Sequence, residues 1–230
     1  MPKIYAQEAY HQVEGFYNLS GFETASGIYL LDDQTFYYFA SFGAVDFKVS
    51  GHYTLQKQGA LRLQPHKASM QEFYVYGFES KVHRDSLVVK YIKPINSSIE
   101  NLRISHNKTV FPKFTPEKHT VSVTIEIPDT GLLTIDYQKD NQMSRDFSIH
   151  LIPNVNELWI IHNYYAEMTR QLSKTLFTVE KDVLIDEKQK AHQRQLIDQK
   201  TRNKIKGFME KQNQKIIRKN NQTIYRLNVD

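Results

Sequence analysis

Residues 46–55, DFKVSGHYTL, alternate. Phe47, Val49, Gly51, Tyr53 and Leu55 fall on one side, and Asp46, Lys48, Ser50, His52 and Thr54 on the other. A period of two is a strand with one buried face, since a helix would scatter these residues around its axis. Gly51 stands in the apolar row, where a missing side chain permits a bend or a close crossing by a bulky neighbour. Closed and strongly curled sheets need such points. The spacing therefore predicts a curvature position in a barrel-like sheet at Gly51, with a plain bulge in an open sheet as the alternative.

The flanking residues extend this into a meander. GFYNLSG (15–21), SGIYLL (26–31), TFYYFASF (35–42), ALRL (60–63), EFYVYGF (72–78) and SLVVKYI (86–92) are short, strand-forming runs separated by turn signals such as Asp32-Asp33-Gln34. The pattern pauses at KPINSS (93–98), which marks the expected domain boundary. Beyond it, ENLRIS (100–105), KTVFPKF (108–114), TVSVTIEI (120–127), LLTIDY (132–137), FSIHLI (147–152) and LWIIHNYY (158–165) predict a second β domain, sandwich-like. AEMTRQLSKTL (166–176) fits helix or strand. The Lys-, Gln- and Arg-rich stretch 186–219 favours a long helix with a narrow apolar stripe, and TIYRLNV (223–229) reads as a closing strand. The expected fold is thus mainly β. It comprises an antiparallel barrel over 1–95, a second β domain over 96–180, and a basic helix plus final strand over 181–230.

The stretch 14–65 has a further character. A Gly-x-Tyr opening strand leads to an apolar strand, an acidic turn and an aromatic strand; Gly-x-Tyr recurs at 51–53, and a Leu-x-Leu strand closes it. This resembles the lipocalin-like small barrels, in particular the N-terminal domain of NlpE-type envelope lipoproteins, over residues 14 to about 92. The resemblance implies a compact antiparallel barrel acting at a bacterial envelope or periplasm as a binding or sensing module. That family carries Cys-x-x-Cys near the second strand, where this chain reads Glu23-Thr24-Ala25-Ser26-Gly27. A thiol-based metal or redox role is not carried over, and no cofactor is expected.

Cysteine is absent, which excludes disulfides, thiolate nucleophiles and cysteine metal sites. No apolar run approaches the roughly 18 residues of a membrane helix. The start, Met1-Pro2-Lys3-Ile4-Tyr5, lacks a signal-peptide apolar region, so an envelope location requires a leader already removed; a cytoplasmic location is the alternative. Gly-x-Ser-x-Gly, the P-loop and Gly-x-Gly-x-x-Gly are all missing, and no enzyme activity is expected.

Three constellations bear on chemistry. Asp129-Thr130-Gly131 matches the aspartic-protease tripeptide, but Pro-Asp-Thr-Gly also suits a hairpin turn, the preferred reading. Among nine histidines, His150 and His162 flank a short loop and could meet on adjacent strands, yet two ligands fall short of a catalytic zinc site, and no metal is expected. Glu23 and Asp46 could pair as buried acids, or serve as strand-end groups.

The aromatic load of the first domain suggests either a ligand cavity or a covered outer face, with Tyr38, Phe42, Phe47, Tyr53, Tyr74 and Tyr76 as candidate binding residues for an apolar ligand or a protein partner. The net charge of +5 concentrates in 186–219, where eleven Lys or Arg face four Asp or Glu. Lys200, Arg202, Lys204 and Lys206 are therefore candidates for contacting nucleic acid or another polyanion, against the alternative of a solvated helix face. The leading expectation is a non-enzymatic binding protein, and the alternative a polyanion binder.

Overall fold

Aromatic and β-branched runs broken by Gly, Asn and Asp turns produce an almost continuous succession of strands. In the computed structural model, which describes residues 3–43, 45–80, 86–92, 103–106, 109–110, 120–138, 145–214, 216–219 and 222–230, the chain first forms α1 (Lys3–Val13), β1 (Gly15–Asn18), β2 (Ala25–Leu30), β3 (Thr35–Phe42), β4 (Val45–Leu55), β5 (Ala60–Pro65) and α2 (Lys67–Met70). Next come β6 (Phe73–Phe78), β7 (Leu87–Ile92), β8 (Arg103–His106), β9 (Thr109–Val110), β10 (Thr120–Ile125), β11 (Leu132–Gln138), β12 (Arg145–His150) and β13 (Glu157–His162). The chain ends with α3 (Ala166–Lys174), β14 (Leu176–Glu180), β15 (Val183–Ile185), β16 (Ala191–Gln195), α4 (Gln199–Asn213), β17 (Ile216–Lys219) and β18 (Gln222–Arg226). It divides into two compact units, 1–70 with 165–213, and 71–164 with 214–230. The expected boundary at 93–98 lies outside the described residues.

The first unit is a closed barrel of eight strands in the order β1-β16-β15-β14-β5-β4-β3-β2, every pairing antiparallel. Early strands curl round on themselves, as the alternation predicts, but they do not close alone. β14, β15 and β16, drawn from 176–195, complete the wall, while β6 and β7, expected in the barrel, lie in the other unit. Gly51 pairs with Phe36 on one side and Pro65 on the other. A Cβ there would stand 2.2 Å from the Gln64 carbonyl oxygen. The glycine thus admits the paired β5 backbone at the β4–β5 edge, a close approach by main chain where the sequence suggested a bend or a bulky neighbour.

Side chains fill the barrel. Tyr17, Ile28, Leu30, Phe36, Phe47, Tyr53, Leu61, Leu63, Phe177 and Leu184 belong to one buried cluster, as expected of eight strands whose interior is only as wide as the side chains. Its two deepest phenols are satisfied: Tyr53 donates to Leu31 O and Tyr17 to Val13 O, both at 2.8 Å. Burial pushes the Tyr17 hydroxyl up to about 12. Tyr10 of α1 packs edge-on against Tyr53, and Tyr165, just before α3, packs against Phe47. Phe47 and Tyr53 lie toward opposite ends of β4, so the chain covers the interior from both ends.

The long basic helix expected over 186–219 is three elements. Asp186 Oδ1 accepts the backbone N–H groups of Lys188 and Lys190, making a turn that starts β16. The helix proper is α4, begun where Asp198 Oδ1 accepts the Thr201 N–H at 2.7 Å. Ile205 and Met209 bury against Leu31 and Tyr37 on the outside of the barrel, with Tyr29, Phe39 and Ile197 beside them. The outer aromatic face of β2 and β3 is therefore covered by α4. Gln212 fastens the far end, with Oε1 accepting from Ser50 Oγ at 2.9 Å and Nε2 donating to Lys48 O at 2.7 Å.

In the second unit a six-stranded sheet, β10-β7-β13-β6-β18-β17, and a four-stranded sheet, β12-β11-β8-β9, share one core. Phe73, Val75, Leu87, Val89, Tyr91, Leu158 and Ile160 come from the first sheet, and Leu133, Ile135, Tyr137, Phe147 and Ile149 from the second. β13 and β7 run parallel, whereas the other described pairings are antiparallel. His150 and His162 are not neighbours: β12 and β13 belong to different sheets. His150 Nε2 lies 2.7 Å from Asp230 Oδ2, and His162 sits over Phe73 with its Nε2 3.7 Å from Glu72.

Candidate functional site

The loops at one edge of the second unit enclose an open cleft of about 690 Å³. One wall is the turn after β10. Gly131 N–H closes it on Pro128 O at 2.9 Å, with Gly131 at φ +66°, a conformation that favours glycine. This is the Asp129-Thr130-Gly131 stretch. It is a turn, as expected, but it carries the chain from the six-stranded sheet to the four-stranded one and joins no paired hairpin. Leu151 N–H donates to Gly131 O at 2.8 Å and holds the opposite wall, Leu151 to Val155, beside it.

Asn156 anchors the back of the cleft. Its side chain accepts from Ser80 N–H at 2.6 Å and donates to Ser80 O at 2.8 Å. Its backbone N–H donates to Phe78 O at 3.1 Å, and its carbonyl accepts from Val88 N–H at 2.9 Å. One buried residue, through its side chain and its backbone, thus ties the ends of β6 and β7 to the start of β13. A buried polar side chain with both functions satisfied stiffens its surroundings.

Ile127, Pro128, Leu151, Ile152, Pro153 and Val155 provide apolar lining, and Ile127 and Ile152 are each 39% exposed. The polar lining includes the carboxylates of Glu79 and Asp129, both at exposed positions. Glu79 Oε1 accepts the Tyr225 hydroxyl at 3.1 Å. No Lys, Arg or His is among the described lining residues. Hydrocarbon surface with two negative charges and no positive one accommodates an apolar group that carries a cation or N–H donors.

The aromatic residues singled out by sequence fall in both units. Phe47 and Tyr53 are buried in the barrel cluster, and Tyr38 and Phe42 pack half-buried against it. Tyr74 and Tyr76 are on β6 of the second unit, where the Arg226 guanidinium lies 4.7 Å from the Tyr74 ring centre. None of the six lines the cleft. Of the four candidate cations, all on α4, Arg202 holds Glu14 at 2.6 Å and Lys206 holds Asp33 at 2.6 Å. Lys200 and Lys204 are exposed, the latter 5.7 Å from the Phe208 ring centre. Glu23 lies exposed in a turn at φ +61°, and Asp46 is exposed and bonded to Lys48 at 2.7 Å, so neither is a buried acid.

No local sequence pattern marks the cleft as a whole, because its residues come from three separated loops. The local signals are the Asp129-Thr130-Gly131 turn and the Ile-Pro pair at each of 127–128 and 152–153. No helix among the described residues is long and apolar enough to cross a membrane. No family model matches the chain, and neither known proteins nor solved structures yield a match.

Proposed function

We propose that this chain is a non-enzymatic binding protein whose ligand site is the cleft of the second unit, and that its ligand combines an apolar body with a cationic group. The observation that carries the reading is the pairing of Asp129 and Glu79 with exposed Ile127 and Ile152 around one rigidly anchored hollow. Open apolar surface of this kind costs solvation free energy unless something covers it. The two carboxylates select the sign of what does so. Placement at a bacterial envelope rests on the resemblance of residues 14–65, which span β1 to β5, to the lipocalin-like barrels of envelope lipoproteins. Fractionation of cells expressing the gene from its own locus tests that placement, and recovery wholly with cytoplasmic markers overturns it.

The binding test uses dodecylamine, protonated at neutral pH, against dodecanoate of the same chain length. The amine is expected to bind at least about tenfold more tightly. Asp129→Asn with Glu79→Gln removes that preference, and Ile152→Asn weakens both probes. Equal affinity for the two probes, or a double variant that binds the amine as the parent does, overturns the reading.

A further inference from the structure

Away from the cleft, the barrel unit gathers a second set of donors. His11 in the last turn of α1, Glu14 just beyond it and Asp32 in the β2–β3 turn each present one ligand atom, and the three atoms lie within 4.8 Å of one another. His11 Nδ1 is 3.8 Å from Glu14 Oε2. Three residues of separation at a helix end bring these two to the same side, and the closure of β2 onto β3 brings the third.

An independent observation singles out Glu14. Its side chain is only 7% exposed. A carboxylate this deep needs both oxygens satisfied. Oε2 accepts from Arg202 Nη2 at 2.6 Å, but Oε1 is buried with no hydrogen-bond partner. Asp32 brings a second carboxylate within 4.8 Å of these atoms, while the Arg202 guanidinium is bonded to Glu14. The cluster has acceptor capacity and negative charge to spare, and a bound cation satisfies both.

We infer that His11, Glu14 and Asp32 form a binding site for a divalent transition metal of the zinc class. One imidazole and two carboxylates make a mixed nitrogen and oxygen set suited to Zn²⁺, whereas Ca²⁺ and Mg²⁺ take all-oxygen shells. Three protein ligands leave a fourth position open. A tetrahedral site with bonds of about 2.1 Å sets its ligand atoms about 3.4 Å apart. Reaching that from the present spread requires side-chain rotation. His11, with a side chain 74% exposed, and half-buried Asp32 are free to rotate, while Glu14 is held by Arg202. The inference is independent of the cleft reading.

The test is calorimetric titration of chelator-treated protein with Zn²⁺ alone, on the parent, His11→Ala and Asp32→Asn. Neither substitution removes a fully buried side chain, and unfolding curves without metal check that each variant folds. The parent is expected to bind one more ion than either variant, or to bind it at least about tenfold more tightly, and Zn²⁺ should raise the thermal midpoint of the parent alone. No binding by the parent overturns the site. Equal binding by all three proteins overturns it too, as an adventitious ion held by other histidines. Loss in only one variant overturns the three-ligand assignment.

Discussion

Arg202, in the first turn of α4, donates to the Glu14 carboxylate at 2.6 Å, and so fastens the outer helix to the junction of α1 and β1. Glu14 is nearly buried and Arg202 is 23% exposed, which places this pair between a surface bridge and an interior one. Removing the cation alone leaves a nearly buried carboxylate without its guanidinium. Arg202→Ala is expected to cost about 2–3 kcal/mol by denaturant unfolding, and Arg202→Met with Glu14→Gln distinctly less. Equal losses in the single and double variants would show that packing, not charge, dominates.

The apolar stripe of α4 should matter more than its charges. Ile205 and Met209 close over Leu31 and Tyr37, so Ile205→Ala is expected to cost about 2–4 kcal/mol. Lys206 and Asp33 are each about two-fifths exposed, so Lys206→Ala should cost less than about 1 kcal/mol, and Lys200→Ala still less. Polyanion binding through this helix predicts the reverse emphasis. Neutralising Lys200 and Lys204 would then abolish a salt-sensitive interaction with heparin or DNA. Unchanged retention on heparin in that double variant excludes the helix as a polyanion site.

His192 is buried, with Nδ1 2.8 Å from Asn18 O and Nε2 3.1 Å from Asp186 Oδ2. Burial pushes the Asp186 carboxyl up, but the Lys190 N–H, the His192 ring and the Lys188 N–H outweigh it and hold the group below its ordinary value of 3.8. A depressed carboxyl contributes stability above its unfolded pKa and loses it as pH falls through the folded one. Asp186→Asn should therefore be less stable than the parent at neutral pH, with the gap narrowing below about pH 4. Unfolding midpoints across an acid series measure it, and a gap independent of pH would remove Asp186 from the acid limb.

The barrel was half legible in the sequence, for a physical reason. In β4 the inward side chains are Phe47, Val49 and Tyr53, so hydrophobicity reports the period. In β16 the buried position is His192 and the next alternate one is the half-buried Arg194, so an equally regular strand carries no apolar alternation. Its Lys, Gln and Arg content, read by propensity, points to helix instead. Register supplies what composition hides: Tyr17 faces Arg194 and Leu184 faces His192, and these pairings close the wall. The cleft was illegible for another reason. Asn156 acquires its role only when Phe78 of β6, Ser80 just beyond it and Val88 of β7 converge on it.

Two glycines separate space from backbone conformation as reasons for a missing side chain. Gly131 has φ +66° and nothing within 4 Å of an added Cβ, so Gly131→Ala incurs conformational strain alone, about 1 kcal/mol. At Gly51 an added Cβ would meet the Gln64 carbonyl oxygen at 2.2 Å and Pro65 Cα at 2.7 Å. Those are backbone atoms of β5 and cannot rotate away, so β4 and β5 must separate along the pairing that runs from Gly51 to Leu55. Gly51→Ala is expected to cost about 3 kcal/mol or more, and to raise hydrogen exchange at the His66 amide, which donates to Ser50 O across this edge. An alanine at 51 tolerated as well as one at 131 would mean that the β4–β5 edge yields freely, and that closure of the barrel does not depend on the contact between Gly51 and Gln64.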